Sequence, residues 1–171
     1  MTILAIIIGK LAFFLTRVFK AGGGTTFPGL LAEKIDANFI KKISDKIKYG
    51  VVVVTGTNGK TTTSKMIEEI LTEEGYAVIH NSAGSNLSRG IASTLVKHVN
   101  FFGTRIDADV AVFEIDEATM PEATTKLRPE VVLVTNLFRD QLDRYGELDK
   151  TAEIIGNSLR GLVTARVLLN G

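Results

Sequence analysis

The chain contains no cysteine, which excludes disulfides, thiolate metal sites and cysteine nucleophiles within its 171 residues and makes the reducing cytoplasm the expected location. It also lacks an excess of either charge: 20 Lys and Arg stand against 19 Asp and Glu, a formal net charge of +1. Its basic residues are scattered rather than striped, and there is no acidic tail, so no nucleic-acid partner is expected. Nor is there an unbroken apolar run of membrane-spanning length. The opening stretch MTILAIIIGKLAFFLTRVF is interrupted by Lys10 and Arg17 before the roughly 18 to 20 apolar residues that a span requires. Those charges follow the apolar start, the wrong order for a secretory signal. Internal repeats and low-complexity tracts are absent apart from one glycine-rich hinge.

What is present reads as a packed globular protein, with 45% hydrophobic and 23% charged residues and a length that suits one domain with a substantial core. On a helix, Leu4, Ile7, Ile8, Leu11, Leu15, Val18 and Phe19 gather on one side and Lys10, Thr16, Arg17 and Lys20 on the other, while Ile3, Ile6 and Phe13 spoil the pattern. Such an amphipathic helix packs against the rest of the protein or a partner, or else lies on a membrane surface, here the inner face. After AGGGTTFPG at 21–29, apolar residues at helical spacing predict a second helix over 30–48. The rhythm then changes. Strands are predicted at 51–55, 76–80, 109–115, 131–135 and 166–170, alternating with helices at 60–74, 90–99, 119–127 and 149–160. Strand–helix alternation predicts an α/β fold, a parallel sheet covered by helices on both faces. The expected organisation is a helical segment over 1–48 followed by an α/β domain over 49–171.

Such sheets bind ligands outside the carboxyl ends of their strands, so the polar stretches there carry the candidate site. After the first strand comes TGTNGKTT. Gly56 and Gly59 let the backbone turn tightly and approach an anion, and the helix starting near Lys60 points its positive end the same way. Lys60 would reach the outer phosphates of a nucleotide and Thr61 would place its hydroxyl on Mg²⁺. The strict pattern GxxxxGK[ST] is not met, since Val54 occupies the first glycine position; a plain strand-to-helix turn with a threonine-rich cap is the alternative. Mg²⁺ takes one or two carboxylates besides phosphate and water. Glu114, at the end of DVAVFE, is preferred over Asp116, which shares its face by alternation. Asp116 and Glu117 also suit the opening of the helix that Pro121 helps to start. Asn136 begins a polar loop in which Arg139, Asp140, Asp143 and Arg144 could bracket a nucleotide or substrate. His80 ends another strand and is assigned no role.

TGTNGKTTT at 55–63 resembles the ATP loop of the Mur ligase and folylpolyglutamate synthase family, whose loops also lack the first glycine of the strict pattern. GGGTTFPG (22–29), HNSAGSNLSRGIAS (80–93), EIDEAT (114–119) and TNLFRDQLDRYGELD (135–149) extend the resemblance to nearly the whole chain. They are most similar to the Mur ligase-like subunits of lipid II isoglutaminyl synthases. The resemblance implies a P-loop NTPase-like Mur ligase central domain that binds ATP through Thr55, Gly56, Thr57, Asn58, Gly59, Lys60, Thr61 and Thr62. Asn136, Arg139, Asp140 and Arg144 would line the nucleotide, and Thr61 and Glu114 would hold magnesium. It implies carboxylate activation: ATP phosphorylates the α-carboxylate of D-glutamate in lipid II, and ammonia from a glutaminase-type amidotransferase subunit displaces phosphate to leave D-isoglutamine. Cations are needed because phosphoryl transfer concentrates negative charge.

Two departures from ordinary Mur ligases favour the amidating branch. Gln141 stands where a DHxDR motif has histidine, and no lysine follows Lys150, so neither the histidine metal ligand nor the carbamylated lysine of those enzymes is represented. Family members continue beyond VLLNG through the rest of the central domain, often with a four-cysteine zinc ribbon, and a C-terminal domain. The chain is therefore expected to be a fragment that binds nucleotide weakly and does not catalyse alone, with its catalytic residues, and any zinc, in the missing part. The competing readings are an amino-acid-adding ligase of the Mur or folylpolyglutamate type and a nucleotide-binding interaction module.

Overall fold

The computed structural model describes residues 1–18, 26–81, 88–138 and 147–170. Five parallel strands form one sheet in the order β2-β3-β1-β4-β5: β1 (Val51–Thr55), β2 (Val78–His80), β3 (Val110–Glu114), β4 (Val131–Val134) and β5 (Arg166–Leu169). The β-branched run VVVVT suits a central strand, and β1 pairs with β3 on one side, Val54 beside Glu114, and with β4 on the other, Thr55 beside Val134. The chain passes from β1 outward to β2, returns to β3 and crosses β1 to reach β4. The winding therefore reverses around β1, which makes its carboxyl end the switch point where such sheets bind ligands.

Alternation along the strands divides the core in two. Val54, Val110 and Val112 face α4 (Lys60–Glu73) and meet its Ile67 and Leu71. Val51, Val53, Ala111, Phe113 and Ile115 face the opposite way, into a larger core. That core is completed by α1 (Thr2–Val18), α2 (Phe27–Ile35), α3 (Phe39–Ser44), α5 (Ser88–His98), α6 (Met120–Leu127) and α7 (Glu147–Arg160). The α/β class and helices on both faces are as the sequence predicts.

Three details differ. The single helix expected over 30–48 is two, because Asp36 adopts an extended backbone (φ −136°, ψ 98°). Its carboxylate accepts the Asn38 N–H at 3.1 Å, the Thr2 hydroxyl at 2.6 Å and the Lys42 ammonium at 2.7 Å. A short acidic side chain that bonds backbone two residues on competes with helix continuation, and here it ties the break to the start of α1. The strand expected at 76–80 begins only at Val78, since Tyr76 N–H bonds back to Leu71 O at 3.0 Å and closes the end of α4.

The third difference is the orientation of α1. Its large apolar side chains do gather on one side, but the protein packs against the other side, through Ala5, Ile6, Gly9 and Ala12. Ile6, which breaks the sequence pattern, is fully buried. Small residues decide the choice: a Cβ at Gly9 would lie 3.0 Å from the Val96 methyls and 3.4 Å from Pro28 O, so glycine lets α1 approach α5 and α2 closely. The α2–α5 crossing is closer still. A Cβ at Gly29 would meet Arg89 O at 2.1 Å, and Gly29 N–H donates to the Ser93 hydroxyl at 2.8 Å. The described end of GGGTTFPG thus begins α2 and packs helix against helix, while residues 22–25 lie outside the described residues.

Candidate nucleotide-binding site

The switch point is occupied by the loop 56–59 between β1 and α4. Gly56 has φ +127° and Gly59 φ +82°, backbone conformations that L side chains rarely adopt. A Cβ at Gly56 would lie 2.4 Å from the Thr135 hydroxyl and 2.7 Å from Asn136 O, so glycine there allows the loop to lie directly on the chain leaving β4. Gly59 caps α4 with no side-chain hydrogen bond. The N–H groups of the first turn therefore point outward with no cap, and the helix dipole adds positive potential at the same place.

The loop is held by a two-sided clamp. Thr57 N–H donates to Asn136 O at 2.9 Å, and Asn58 N–H donates to Asn136 Oδ1 at 2.9 Å while Asn136 Nδ2 donates to Asn58 O at 3.0 Å. The Thr135 hydroxyl donates to Asn58 O at 2.7 Å, and Phe138 N–H donates to Thr57 Oγ1 at 3.1 Å. Asn136 thus holds the loop in shape through its side chain and backbone. Thr135 does the same work, and its polar side chain at the end of an apolar strand is the sequence signal for it.

Lys60 Nζ lies over the loop, donating to Gly56 O at 2.6 Å, with Glu117 at 3.5 Å and Asp116 at 3.8 Å. Asp116 and Glu117 also open a helical segment, a 3-10 turn at Glu117–Thr119 that leads into α6 with Pro121 in its first turn. The expectation that Asp116 and Glu117 open the helix is thus met, and both carboxylates also face the Lys60 ammonium. Thr61 and Thr62 are exposed on the first turn of α4. Glu114 ends β3 beside Val54, and its residue is buried. Among the described residues no hydrogen bond or ion pair engages the Glu114 carboxylate. Its backbone, however, is fixed by Asn81, whose Oδ1 accepts Glu114 N–H and whose Nδ2 donates to Glu114 O, both at 2.8 Å. Asn81 was not foreseen. His80 Nδ1 lies 3.1 Å from Glu68 Oε2 of α4, a strand-to-helix tie. Arg139, Asp140, Asp143 and Arg144, together with Gln141 and residues 82–87, lie outside the described residues.

Beside the loop, an open cleft of about 420 Å³ runs along the carboxyl ends of β4 and β5, lined by Asn58, Gly59, Thr135, Asn136, Leu168 and Asn170 among others. Glycine turns, an uncapped helix N-terminus and a lysine fit an anion such as a nucleotide phosphate. A threonine hydroxyl with a neighbouring carboxylate fits the hard oxygen donors that magnesium takes beside phosphate and water. Among the described residues, no three His, Asp or Glu gather to hold a metal by themselves.

Sheet order, switch point and glycine–lysine loop define the class: an α/β domain of the phosphate-loop type. The profile of the Mur ligase middle domain matches residues 54–162, and the chain belongs to the Mur ligase family. It is 36% identical over 170 residues to the lipid II isoglutaminyl synthase (glutamine-hydrolyzing) subunit MurT of Streptococcus pneumoniae, covering 99% of this chain and 36% of that protein. With the same subunit of Staphylococcus aureus it shares 37% over 138 residues, 78% of this chain and 30% of the relative. The chain thus spans about a third of the length of these relatives. Its fold is similar to that of the MurF ligase of Thermotoga maritima crystallised with ADP, with a TM-score of 0.60 and 17% identity over 81% of this chain and 36% of that one.

Proposed function

We propose that residues 49–171 are the nucleotide-binding part of an ATP-dependent carbon–nitrogen ligase, with residues 1–48 as a helical leader folded onto it. In this reading the intact protein amidates the α-carboxylate of D-glutamate in lipid II to D-isoglutamine with ammonia from a glutaminase-type partner subunit. The observation that carries it is the identity with the pneumococcal subunit along 99% of the chain, supported by Gln141 in place of the histidine of ordinary Mur ligases.

The loop from Thr55 to Thr62 would hold the phosphates, Lys60 exchanging its present carbonyl partner for phosphate oxygen. Asn136 and Thr135 keep the loop in shape, and the cleft beside them suits the nucleoside. Arg139, Asp140 and Arg144 would complete the nucleotide site. Thr61 and Glu114 would hold magnesium, which supplies charge neutralisation at the transferred phosphoryl group. Glu114 is favoured over Asp116 because Asp116 already lies within 3.8 Å of the Lys60 ammonium. The γ-phosphoryl passes to the carboxylate oxygen, ammonia attacks the acyl carbon, and phosphate leaves with that oxygen, giving amide, ADP and inorganic phosphate.

Phosphate release by the intact protein with lipid II, magnesium and ATP tests the reading. Turnover is expected with ammonia, or with glutamine plus the glutaminase subunit. Turnover only with an added amino acid would assign an amino-acid-adding ligase instead, and none under any condition would leave a nucleotide-binding module.

A further inference from the structure

The solvent side of α1 is apolar without interruption. Ile3, Leu4, Ile7, Leu11, Phe14, Leu15 and Val18 are all exposed, Leu11 by 55% and Phe14 by 63%, and at 100° per residue they fall within one sector about 120° wide. The helix runs for 17 residues, about 25 Å. Alongside it stands the turn 100–104, built to hold its shape: Asn100 Oδ1 accepts Thr104 N–H at 2.9 Å and Arg105 N–H at 3.2 Å, and Val99 pairs with Ile106. Gly103 rests on Ile6 of α1. At the tip of this turn Phe101 and Phe102 are 62% and 74% exposed, and Lys10 Nζ lies 5.1 Å from the centre of the Phe101 ring. The aromatic tip thus stands beside Lys10, close to the apolar sector of the helix. Solvent-exposed apolar area of this extent marks a site of association.

The charges around it are mainly basic. No acidic residue precedes Glu33 in the sequence, and residues 1–50 carry eight Lys and Arg against three Asp and Glu, whereas 51–171 carry twelve against sixteen. Lys10 and Arg17 line one edge of the apolar sector on α1 itself, and Lys97 and Arg105 precede and follow the aromatic turn in sequence. Among the described residues, Asp36 is paired with Lys42 at 2.7 Å and Asp107 with Arg105 at 2.8 Å, so the positive excess beside the helix is carried by Lys10, Arg17 and Lys97. Among the described residues no helix is long and apolar enough to cross a membrane.

We propose that the exposed face of α1, together with Phe101 and Phe102, docks on an anionic lipid bilayer, the helix lying in the plane of the interface. A helix with an apolar face bounded by Lys and Arg is the form that partitions there, its side chains in the acyl boundary and its cations among the headgroups. The basic excess of residues 1–50, eight Lys and Arg against three Asp and Glu, matches the negative surface of such a bilayer. The inference goes beyond the reaction proposed above and does not depend on it.

Sedimentation of the intact protein with vesicles of phosphatidylcholine, with or without a third of phosphatidylglycerol, tests it. The protein is expected to pellet with the anionic vesicles and to be released by salt. Leu11→Asp and Phe102→Ser, each at an exposed position, should weaken binding at least about tenfold while leaving the melting temperature and nucleotide affinity unchanged. Lys60→Ala should pellet like the parent even where it loses nucleotide, which separates failure of the reaction from failure of the membrane site. Absence from the pellet with both vesicles, or equal pelleting of parent and variants, would overturn the proposal. So would a concentration-dependent dimer in sedimentation velocity that Leu11→Asp dissolves, since a second copy would then cover the face.

Discussion

Helices α1 and α4 are of similar length, yet they meet solvent with opposite chemistry. The outer side of α1 is leucine, isoleucine and phenylalanine, and its inner side is alanine and glycine with a single isoleucine. In α4 Ile67 and Leu71 lie against the sheet, and the outward side is mainly charged and polar, with Met66 and Ile70 the only large hydrophobic residues exposed on it. Hydrophobic periodicity locates an apolar side; it does not say which side the protein will use. In α1 close backbone approach at Gly9 outweighs the greater apolar area of the opposite side, which leaves that area free for another surface.

The largest effect expected on this contrast is at Ile6, fully buried in α1. Ile6→Ala should cost about 2–5 kcal/mol by urea unfolding, whereas Leu11→Ala, on the apolar side, should stay within about 0.5 kcal/mol. A larger cost at Leu11 than at Ile6 would mean that the helix packs the other way round.

A smaller effect is expected at the break between α2 and α3. Burial alone raises the Asp36 carboxyl, but hydrogen bonds from Lys42, the Thr2 hydroxyl and Asn38 N–H, with the Lys42 charge, bring it below its ordinary value. A carboxyl that titrates lower folded than unfolded contributes stability that is fully present above the unfolded pKa, about 3.9, and is lost as pH falls through the folded value. Asp36→Asn should therefore cost about 1–3 kcal/mol at neutral pH, with the gap between variant and parent closing below about pH 4. A gap independent of pH would show that the carboxylate charge plays no part.

Much of this was legible in the sequence, for physical reasons. All five strands fall where apolar runs predict them: β1, β3 and β4 lie inside the sheet and read as Val-rich runs, and the edge strand β5, although exposed, keeps the apolar run 167–169. The tight turn between β1 and α4 was legible because Gly56 and Gly59 stand where the chain needs positive φ. The break at Asp36 was not, because the apolar spacing from Leu30 to Ile47 continues across it; an Asp two residues before Asn38 was the weak local signal. The clamp by Thr135 and the fixing of Glu114 by Asn81 join residues 77 to 80 and 33 positions apart in sequence, pairings that only the sheet order creates. Which side of α1 faces inward depended on Val96 and Pro28, distant in sequence and adjacent only in the fold.

The central claim, that the Gly59 turn and Lys60 form a phosphate site, is tested most directly by calorimetric titration of magnesium–ADP into the intact protein and its Lys60→Ala variant. The account predicts affinity lower by about 10- to 100-fold with the melting temperature of the nucleotide-free protein preserved. Equal affinity in the two proteins would contradict it.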